Sequence, residues 1–340
     1  MKRPRKSTTI LDVARAAGVS VSTVSRVLND KEDVSLETQE KVQRVIEELG
    51  YVSSLAARGM RSHHTNVIGL VMPDVSSAYC VEVMQGVNQV IAQQNFDLLI
   101  YTNGDVQKYN AAEQERHFVS LLNGTITDGL IVAAAATTSF ATDAPLVVID
   151  PNVENSNFPS ISSNNHEGAL DAMKYLVGLG HRRIGHITGR LNLISARQRL
   201  QGYKDGLAAC GIPFEEELVV EGDYTVGSAV TCAFRLLSLK RPPTAIFAAN
   251  DMAALGVYQA AKQVGLQIPG DLSVVGFDDV REASVLNPPL TTVNQSVSKM
   301  AMIATEMVLS LVKGERLENT QVKILTNLVV RDSCCPLAGA

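Results

Sequence analysis

Thr8–Asn29 reads TTILDVARAAGVSVSTVSRVLN. Thr9 stands as a helix N-cap, with Asp12 three residues on as a variant capping box. Ile10, Val13, Ala14 and Ala17 follow at helical spacing and give the helix one apolar face. Gly18 supplies a turn where a positive φ is easy. Ser20 caps a second short helix, in which Val24, Val27 and Leu28 point inward and Val21, Ser22, Ser25 and Arg26 are left outside. Small outer residues let the backbone approach a base edge. Hydroxyls reach phosphates or bases, and an arginine donates two bonds to one guanine. Composition alone fits a solvated helix pair; the whole string and its context favour DNA. A third helix starts at Ser35, carries Val42, Val45, Ile46 and Leu49 as its stripe, and ends at Gly50. The three helices make a bundle that covers a recognition helix on one side.

The charge is distributed to match. The net charge is −5 over 340 residues, yet residues 1–64 carry 11 basic against 8 acidic side chains and the remainder 19 against 27. The arm MKRPRK suits phosphates, or serves as a solubilising tail. A chain that is 46% hydrophobic can bury sizeable cores. There is no transmembrane run and no apolar signal core, so the reading is cytoplasmic with no membrane partner. Cys80, Cys210, Cys232, Cys334 and Cys335 show no metal-ligand spacing and read as free thiols, with no metal and no cofactor expected. Adjacent Cys334 and Cys335 are a plain tail or a vicinal redox pair.

Residues 51–66, YVSSLAARGMRSHHTN, form a linker between headpiece 1–50 and core 67–340. A short helix over Leu55–Met60 contains Gly59, which costs about 1 kcal/mol relative to Ala. Alone it is too short to be stable. Met60 suits an apolar wedge between base steps in a minor groove, with Arg58 and Arg61 on phosphates; a flexible tether is the plainer reading.

From Asn66 strands and helices alternate. Strands are expected at 67–72, 97–102, 128–133, 146–150, 183–188, 218–222, 244–249 and 273–279, with SISS at 160–163 closing the first series and a last strand near 322–330. Helices lie between them, and a final one spans about 296–312. The alternation calls for two doubly wound parallel-sheet α/β lobes, the first about 67–162 and 293–322, the second about 163–292 and 323–340. Ligands bind such sheets at the strand C-termini. Polar residues collect there: Asp74, Ser77 and Asp150, then Ser195, Arg197, Arg199, Asp223, Asn250, Asp251, Asp278 and Asp279. Paired carboxylates, an amide and one or two arginines suit a polyhydroxyl ligand. No nucleophile triad, phosphate loop or metal cluster stands out, and the six histidines show no ligand pattern; His181 reads as a helix cap. The carboxylates read as hydrogen-bond acceptors, with no catalytic residue.

The stretches TILDVARAAGVSVSTVSRVLN, LAARGMR, LGHRRIGHITG, RQRLQGY, PTAIFAANDMAALG, IPGDLSVVGFDDV and NPPLTTVNQ, in this order, resemble the lactose/galactose repressor (LacI/GalR) family over about Thr8–Asp332. The resemblance implies an N-terminal all-α helix-turn-helix headpiece, a hinge helix that folds on DNA, and a core like type I periplasmic sugar-binding proteins. It further implies a homodimer on a pseudo-palindromic operator with a central C-G step. The operator set becomes Thr9, Ser20, Val21, Ser22, Thr23, Ser25, Arg26, Asn29, Arg58 and Met60, with Val21, Ser22 and Arg26 at the family's base-reading positions. Met60 stands where relatives usually carry Leu. The effector set becomes Asp74, Ser77, Tyr79, Asp150, Ser195, Arg199, Tyr224, Asn250, Asp278 and Gln295. Cys80 departs from the aromatic common there; Tyr224 offers an alternative aromatic face. The chain stops at SCCPLAGA without a heptad tail, which favours a dimer over a tetramer.

The expected function is thus a repressor whose operator affinity follows a small effector, a sugar by pocket composition. The alternatives are a sugar-binding solute receptor without DNA function and a repressor that needs a co-repressor.

Overall fold

The computed structural model describes residues 8–28, 33–51, 64–102, 110–124 and 126–337. Residues 1–65 and 66–340 form two units.

The first unit holds three helices: α1 (Ile10–Ala17), α2 (Val21–Leu28) and α3 (Leu36–Leu49). The Asp12 carboxylate accepts both the Thr9 amide, at 2.9 Å, and the Thr9 hydroxyl, at 2.7 Å. Gly18 turns the chain at φ 65°. The Thr23 amide donates to Ser20 Oγ at 3.0 Å and caps α2. Ser35 accepts from the Thr38 amide, and Gly50 ends α3 at φ 58°. Val13, Ala17, Val24 and Val42 have no solvent exposure. Two expectations fail here. Leu49 is exposed rather than part of the stripe: it is the last residue of α3 before the Gly50 cap, and Tyr51 beyond the cap joins the core in its place. Tyr51, assigned to the linker, is buried in this core, its amide on Ile46 O. A bundle this small gains from each added large side chain.

The second unit holds two six-stranded sheets among the described residues. The first contains β1 (Val67–Met72), β2 (Asp97–Thr102), β3 (Gly129–Ala133), β4 (Leu146–Ile149), β5 (Ser160–Ser163) and β11 (Gln321–Ile324) in the order β2-β1-β3-β4-β5-β11, all parallel. The second contains β6 (Ile184–Thr188), β7 (Val219–Glu221), β8 (Ala245–Ala248), β9 (Ser273–Asp278), β10 (Thr291–Asn294) and β12 (Asn327–Val329) in the order β7-β6-β8-β9-β10-β12. Only the β10–β12 pair is antiparallel. In the first lobe α4 (Ala78–Ile91) and α11 (Val297–Val312) cover one face and α5 (Ala111–Leu122) the other. In the second, α6 (Asn165–Gly178) and α7 (Ile194–Ala209) lie opposite α8 (Val226–Leu237) and α9 (Asp251–Gln263). A short α10 (Arg281–Val285) follows β9. Central strands β1, β3, β4, β6, β8 and β9 are buried throughout, as sheets covered on both faces require.

The single last strand expected over 322–330 is two strands in two sheets. β11 pairs with β5 and β12 with β10, so the chain changes lobes near 325 rather than 323. The short strand β10 was not anticipated, and it moves the preceding crossing to about 295. With the β5–α6 junction, these crossings make a three-stranded hinge. No helix among the described residues is long and apolar enough to cross a membrane.

Candidate DNA-reading face and ligand cleft

On α2, Val21, Ser22 and Arg26 are exposed while Val24 and Val27 are buried, so the outer face carries the residues expected to read bases. Ser20 Oγ lies 2.6 Å from Ser22 Oγ and 2.8 Å from Thr23 Oγ1, which gathers three hydroxyls at the helix N-terminus. That end attracts phosphate through its free amides and the helix dipole. Arg26 Nε pairs with Asp33 Oδ2 at 3.3 Å on the surface. Exposed pairs contribute little, so Arg26 can be exchanged to a base at small cost. Thr9 is held by Asp12 at the start of α1. Asn29, Arg58 and Met60, with the basic arm and the hinge-helix reading, lie outside the described residues.

In the core, Arg199 is the hub. It is 4% exposed and rises from α7 between the lobes. Its Nε donates to Asn165 Oδ1 at 2.8 Å and one terminal nitrogen to Ala249 O at 2.5 Å. Asp278 Oδ1 lies 3.4 Å away, and the guanidinium stacks 3.7 Å over the Phe277 ring. The helix reaches this position because Gly202, one turn on, sits against α6: a Cβ there would overlap the His166 carbonyl and Ala169. Gln295 donates to Asp278 at 2.6 Å and accepts from Ser163 Oγ at 2.8 Å, tying the cluster to two hinge strands.

Burial, opposed by Arg199, pushes the Asp278 carboxyl up to about 7. Asp150 faces it from the first lobe and is raised mainly by burial. Tyr79 donates to Asp150 Oδ2 at 2.6 Å. Asp150 Oδ1 is buried without a hydrogen-bond partner; the Ser163 amide faces the carboxylate without completing normal geometry. On the second lobe Tyr224 OH lies 3.3 Å from Ser195 Oγ. Asn250 caps α9 through the Ala253 amide and donates to Tyr224 O at 3.3 Å. Asp150, Tyr224 and Asp278 all hold positive φ, at 50°, 73° and 113°. Such backbone strain concentrates at ligand clamps.

Two expected effector residues stand apart. Asp74 is exposed and its carboxylate binds the Ser76 amide and hydroxyl at 2.8 Å. Ser77 begins α4 as its cap residue, beside Asp74 rather than in the cluster. Cys80 is buried in the first-lobe core, its thiol pushed up to about 11 by burial, so it offers no surface to a sugar. Other strand-end residues serve the scaffold. Asp251 accepts from Thr292 Oγ1 at 2.5 Å and from the Val280 amide, and Asp279 pairs with Arg331 at 2.6 Å. Asp223 holds Thr225, and Arg197 reaches Leu191 O. His181 does not cap through its ring; that ring bridges Thr244 and Ser273 at 2.9 Å each, because its position at 2% exposure turns it into the sheet.

Sequence reading missed Ser163, Asn165, Phe277 and Asn152. Asn152 spans the lobes. Its Nδ2 donates to Ala136 O in the first lobe and Asn192 O in the second, both at 3.2 Å, and its Oδ1 accepts the Ile194 amide at 2.9 Å. Nothing in its local sequence, PNVEN, marks it. Among the described residues no cluster could hold a metal ion.

Residues 9–54 match the family model described as bacterial regulatory proteins, lacI family, and residues 173–334 match one described as a periplasmic binding protein-like domain. The chain is 36% identical to the ribose operon repressor of Haemophilus influenzae, over 96% of this chain and 98% of that one. It is 31% identical to the HTH-type transcriptional repressor PurR of Vibrio parahaemolyticus, with the same coverage of 96% and 98%. A lac repressor dimer bound to operator and the anti-inducer ONPF superposes with a TM-score of 0.82 at 27% identity, covering 97% of this chain and all of that one. A helix-turn-helix headpiece, two α/β lobes and relatives that are repressors across nearly the whole length place this chain in the LacI family, as a DNA-binding transcriptional repressor with a ligand-binding core.

Proposed function

We propose that the protein works in the cytoplasm as a homodimer on a pseudo-palindromic operator, and that a sugar between the lobes sets its operator affinity. The observation that carries the sugar is the Arg199 cluster. One guanidinium over an aromatic face, two carboxylates from opposite lobes, two tyrosyl hydroxyls and two amides converge there. Carboxylates accept hydroxyl protons, and the guanidinium and amides donate to ring oxygens. The ribose operon repressor and the operator-bound lac repressor dimer support the reading.

The ligand touches both lobes, so its binding energy differs between open and closed hinges. That difference is what moves the equilibrium. Going from 1:99 to 99:1 takes about 5.5 kcal/mol of differential binding. Arg58 and Met60 would transmit the change to the minor groove, while Ser20, Val21, Ser22, Thr23, Ser25 and Arg26, with Thr9 and Asn29, hold the major groove.

A thermal-shift panel of pentoses, hexoses and disaccharides tests the ligand class. A sugar at a hundred times its Kd adds about 2.7 kcal/mol of stability, and one member should raise Tm accordingly. A panel without any shift, beside a clear shift with a nucleobase or amino acid, would defeat the sugar reading.

Sugar affinity should fall as the pH is lowered through neutrality. Hydroxyls donating to Asp278 favour its ionised form, so binding lowers a pKa that stands at about 7 in the free protein. Free protein therefore holds more protons, and affinity weakens by up to about tenfold per pH unit below that value. Calorimetry in buffers of different ionisation enthalpy should detect proton release near neutrality. Proton uptake, or flat affinity between weakly acidic and weakly alkaline pH, would exclude Asp278 as an ionised acceptor.

Asn152→Ala removes the cross-lobe hydrogen bonds. Neutral bonds contribute about 0.5–1.5 kcal/mol each, so ligand affinity should drop roughly tenfold while the fold persists. Wild-type affinity would show that the Asn152 bridge does not contribute to the bound state.

A further inference from the structure

Helix α5 of the first lobe buries a carboxylate. Glu115 is 2% exposed, and a charge taken out of water is costly unless hydrogen bonds replace its hydration. Backbone amides of the segment after β3 supply them. The Ala136 amide donates to both carboxylate oxygens at 2.9 Å, and the Thr137 amide donates to Oε2 at 3.0 Å. Burial raises this carboxyl, opposed by those two amides and then by the neighbouring Arg116. Arg116 also donates to Thr137 Oγ1 at 2.9 Å, and that hydroxyl donates to Ser139 O at 3.1 Å. Two successive side chains of α5 thus hold one short segment.

That segment is the first-lobe end of the Asn152 bridge. Ala136 O accepts from Asn152 Nδ2 at 3.2 Å, and the same peptide unit donates through the Thr137 N–H to Glu115. In a trans peptide the N–H and C=O point in opposite directions, so Glu115 and Asn152 grip one peptide plane from its two ends. An anion at the N–H end polarises the unit and makes its carbonyl a better acceptor. With Nδ2 fixed on Ala136 O, the whole Asn152 amide plane is fixed. Its Oδ1 then meets the Ile194 amide at 2.9 Å, and its Nδ2 reaches Asn192 O at 3.2 Å, both in the second lobe. Ile194 opens α7, where an amide has no acceptor within the helix. The same helix carries Arg199.

We propose that Glu115 is a positioning residue of the ligand response: it sets the Ala136–Thr137 peptide, the peptide aims the Asn152 amide, and that amide holds the start of α7 against the first lobe. Glu115 itself does not reach the second lobe. The consequence for ligand affinity rests on the reading that the effector bridges both lobes.

Hydrogen exchange of the ligand-free, full-length protein tests it, read at the Ile194 amide in the opposite lobe. Glu115→Ala should speed that exchange about tenfold, as Asn152→Ala does, by the loss of one neutral hydrogen bond. The double variant should be no faster than Asn152→Ala alone, because substitutions along one path do not add. Glu115→Gln keeps the side-chain volume and one acceptor oxygen. It should fall between wild type and Glu115→Ala, and it serves as the second variant should the alanine fold poorly. Affinity for a ligand found by thermal shift should drop roughly tenfold in Glu115→Ala, with no further loss when Asn152→Ala is added. Faster exchange confined to Ala136 and Thr137, with Ile194 unchanged in both Glu115 variants, would make Glu115 a local brace and overturn the proposal. So would Glu115 and Asn152 effects that multiply, or wild-type ligand affinity in a Glu115 variant whose Ile194 exchanges faster. Wild-type protein that binds no ligand would instead defeat the ligand reading, and the exchange rates would still decide whether Glu115 sets the bridge.

Discussion

Arg199→Ala leaves operator binding within about twofold of wild type and abolishes the response to ligand. The guanidinium is the only cation within hydrogen-bond range of Asp278 among the described residues, and it also holds Asn165 and the Ala249 carbonyl. Truncation removes the donor proposed to grip ring oxygens and leaves Asp278 buried without a counter-charge. Breaking a buried pair costs about 3–5 kcal/mol when the remaining charge persists. Here the remaining carboxyl already sits at about 7 and takes up a proton, so the fold bears less than that range. The protonated acid no longer accepts two hydroxyls. Ligand affinity should fall by more than about 100-fold, or roughly 2.8 kcal/mol. Arg199→Lys should recover little, since an ammonium lacks the planar fork that reaches Asn165 and stacks on Phe277. Operator titrations with and without ligand, plus circular dichroism for the fold, check this. A folded variant that still responds, or one that loses operator binding, contradicts the division of labour between headpiece and core.

Arg26→Ala weakens operator binding by about 1–3 kcal/mol and relaxes selection at one base pair. The side chain lies on the exposed face of α2, two residues beyond the buried Val24. It gives up only an exposed pair with Asp33 on moving to a base edge. A bidentate contact to guanine specifies that base, whereas a phosphate contact would weaken all sequences alike and reduce the salt dependence. Competition binding against operators substituted at each half-site position separates the two. Uniform weakening with a lower salt slope would make Arg26 a phosphate contact, and unchanged affinity and selectivity would remove it from the interface.

The two cases show what the chain discloses by itself. Helices α1 and α2 were legible because caps, turn glycine and apolar spacing all agree over Thr9–Leu28. The central strands were legible because buried parallel strands read as continuous apolar runs. Asp278 was legible as a charged residue at the end of such a strand, and Arg199 through the resemblance of its stretch to the family, although it lies inside α7 rather than at a strand end. The hinge was not. β10 is four residues long, and a lobe change inside 321–329 leaves the local β pattern unbroken, since both pieces are extended whichever sheet they join. Ser163 and Asn165 escaped for a related reason: they lie at a crossing, where function comes from nearness to the other lobe. Asn152 bonds to backbone atoms of two lobes, and no side-chain pattern encodes such partners. Tyr51 looked like linker because it follows the Gly50 cap, yet a chain leaving an αL cap can fold its next side chain back onto the helix.

The most direct measurement is the binding of full-length protein to a fluorescent pseudo-palindromic duplex with a central C-G step, with and without the sugar that raises Tm. Tight, salt-dependent binding that the sugar shifts by at least about tenfold is the expected result, its direction giving the sign of regulation. Absence of binding at any salt concentration, to this duplex and to a randomised pool of pseudo-palindromes, would contradict the reading of Thr8–Asn29 as a DNA-reading unit.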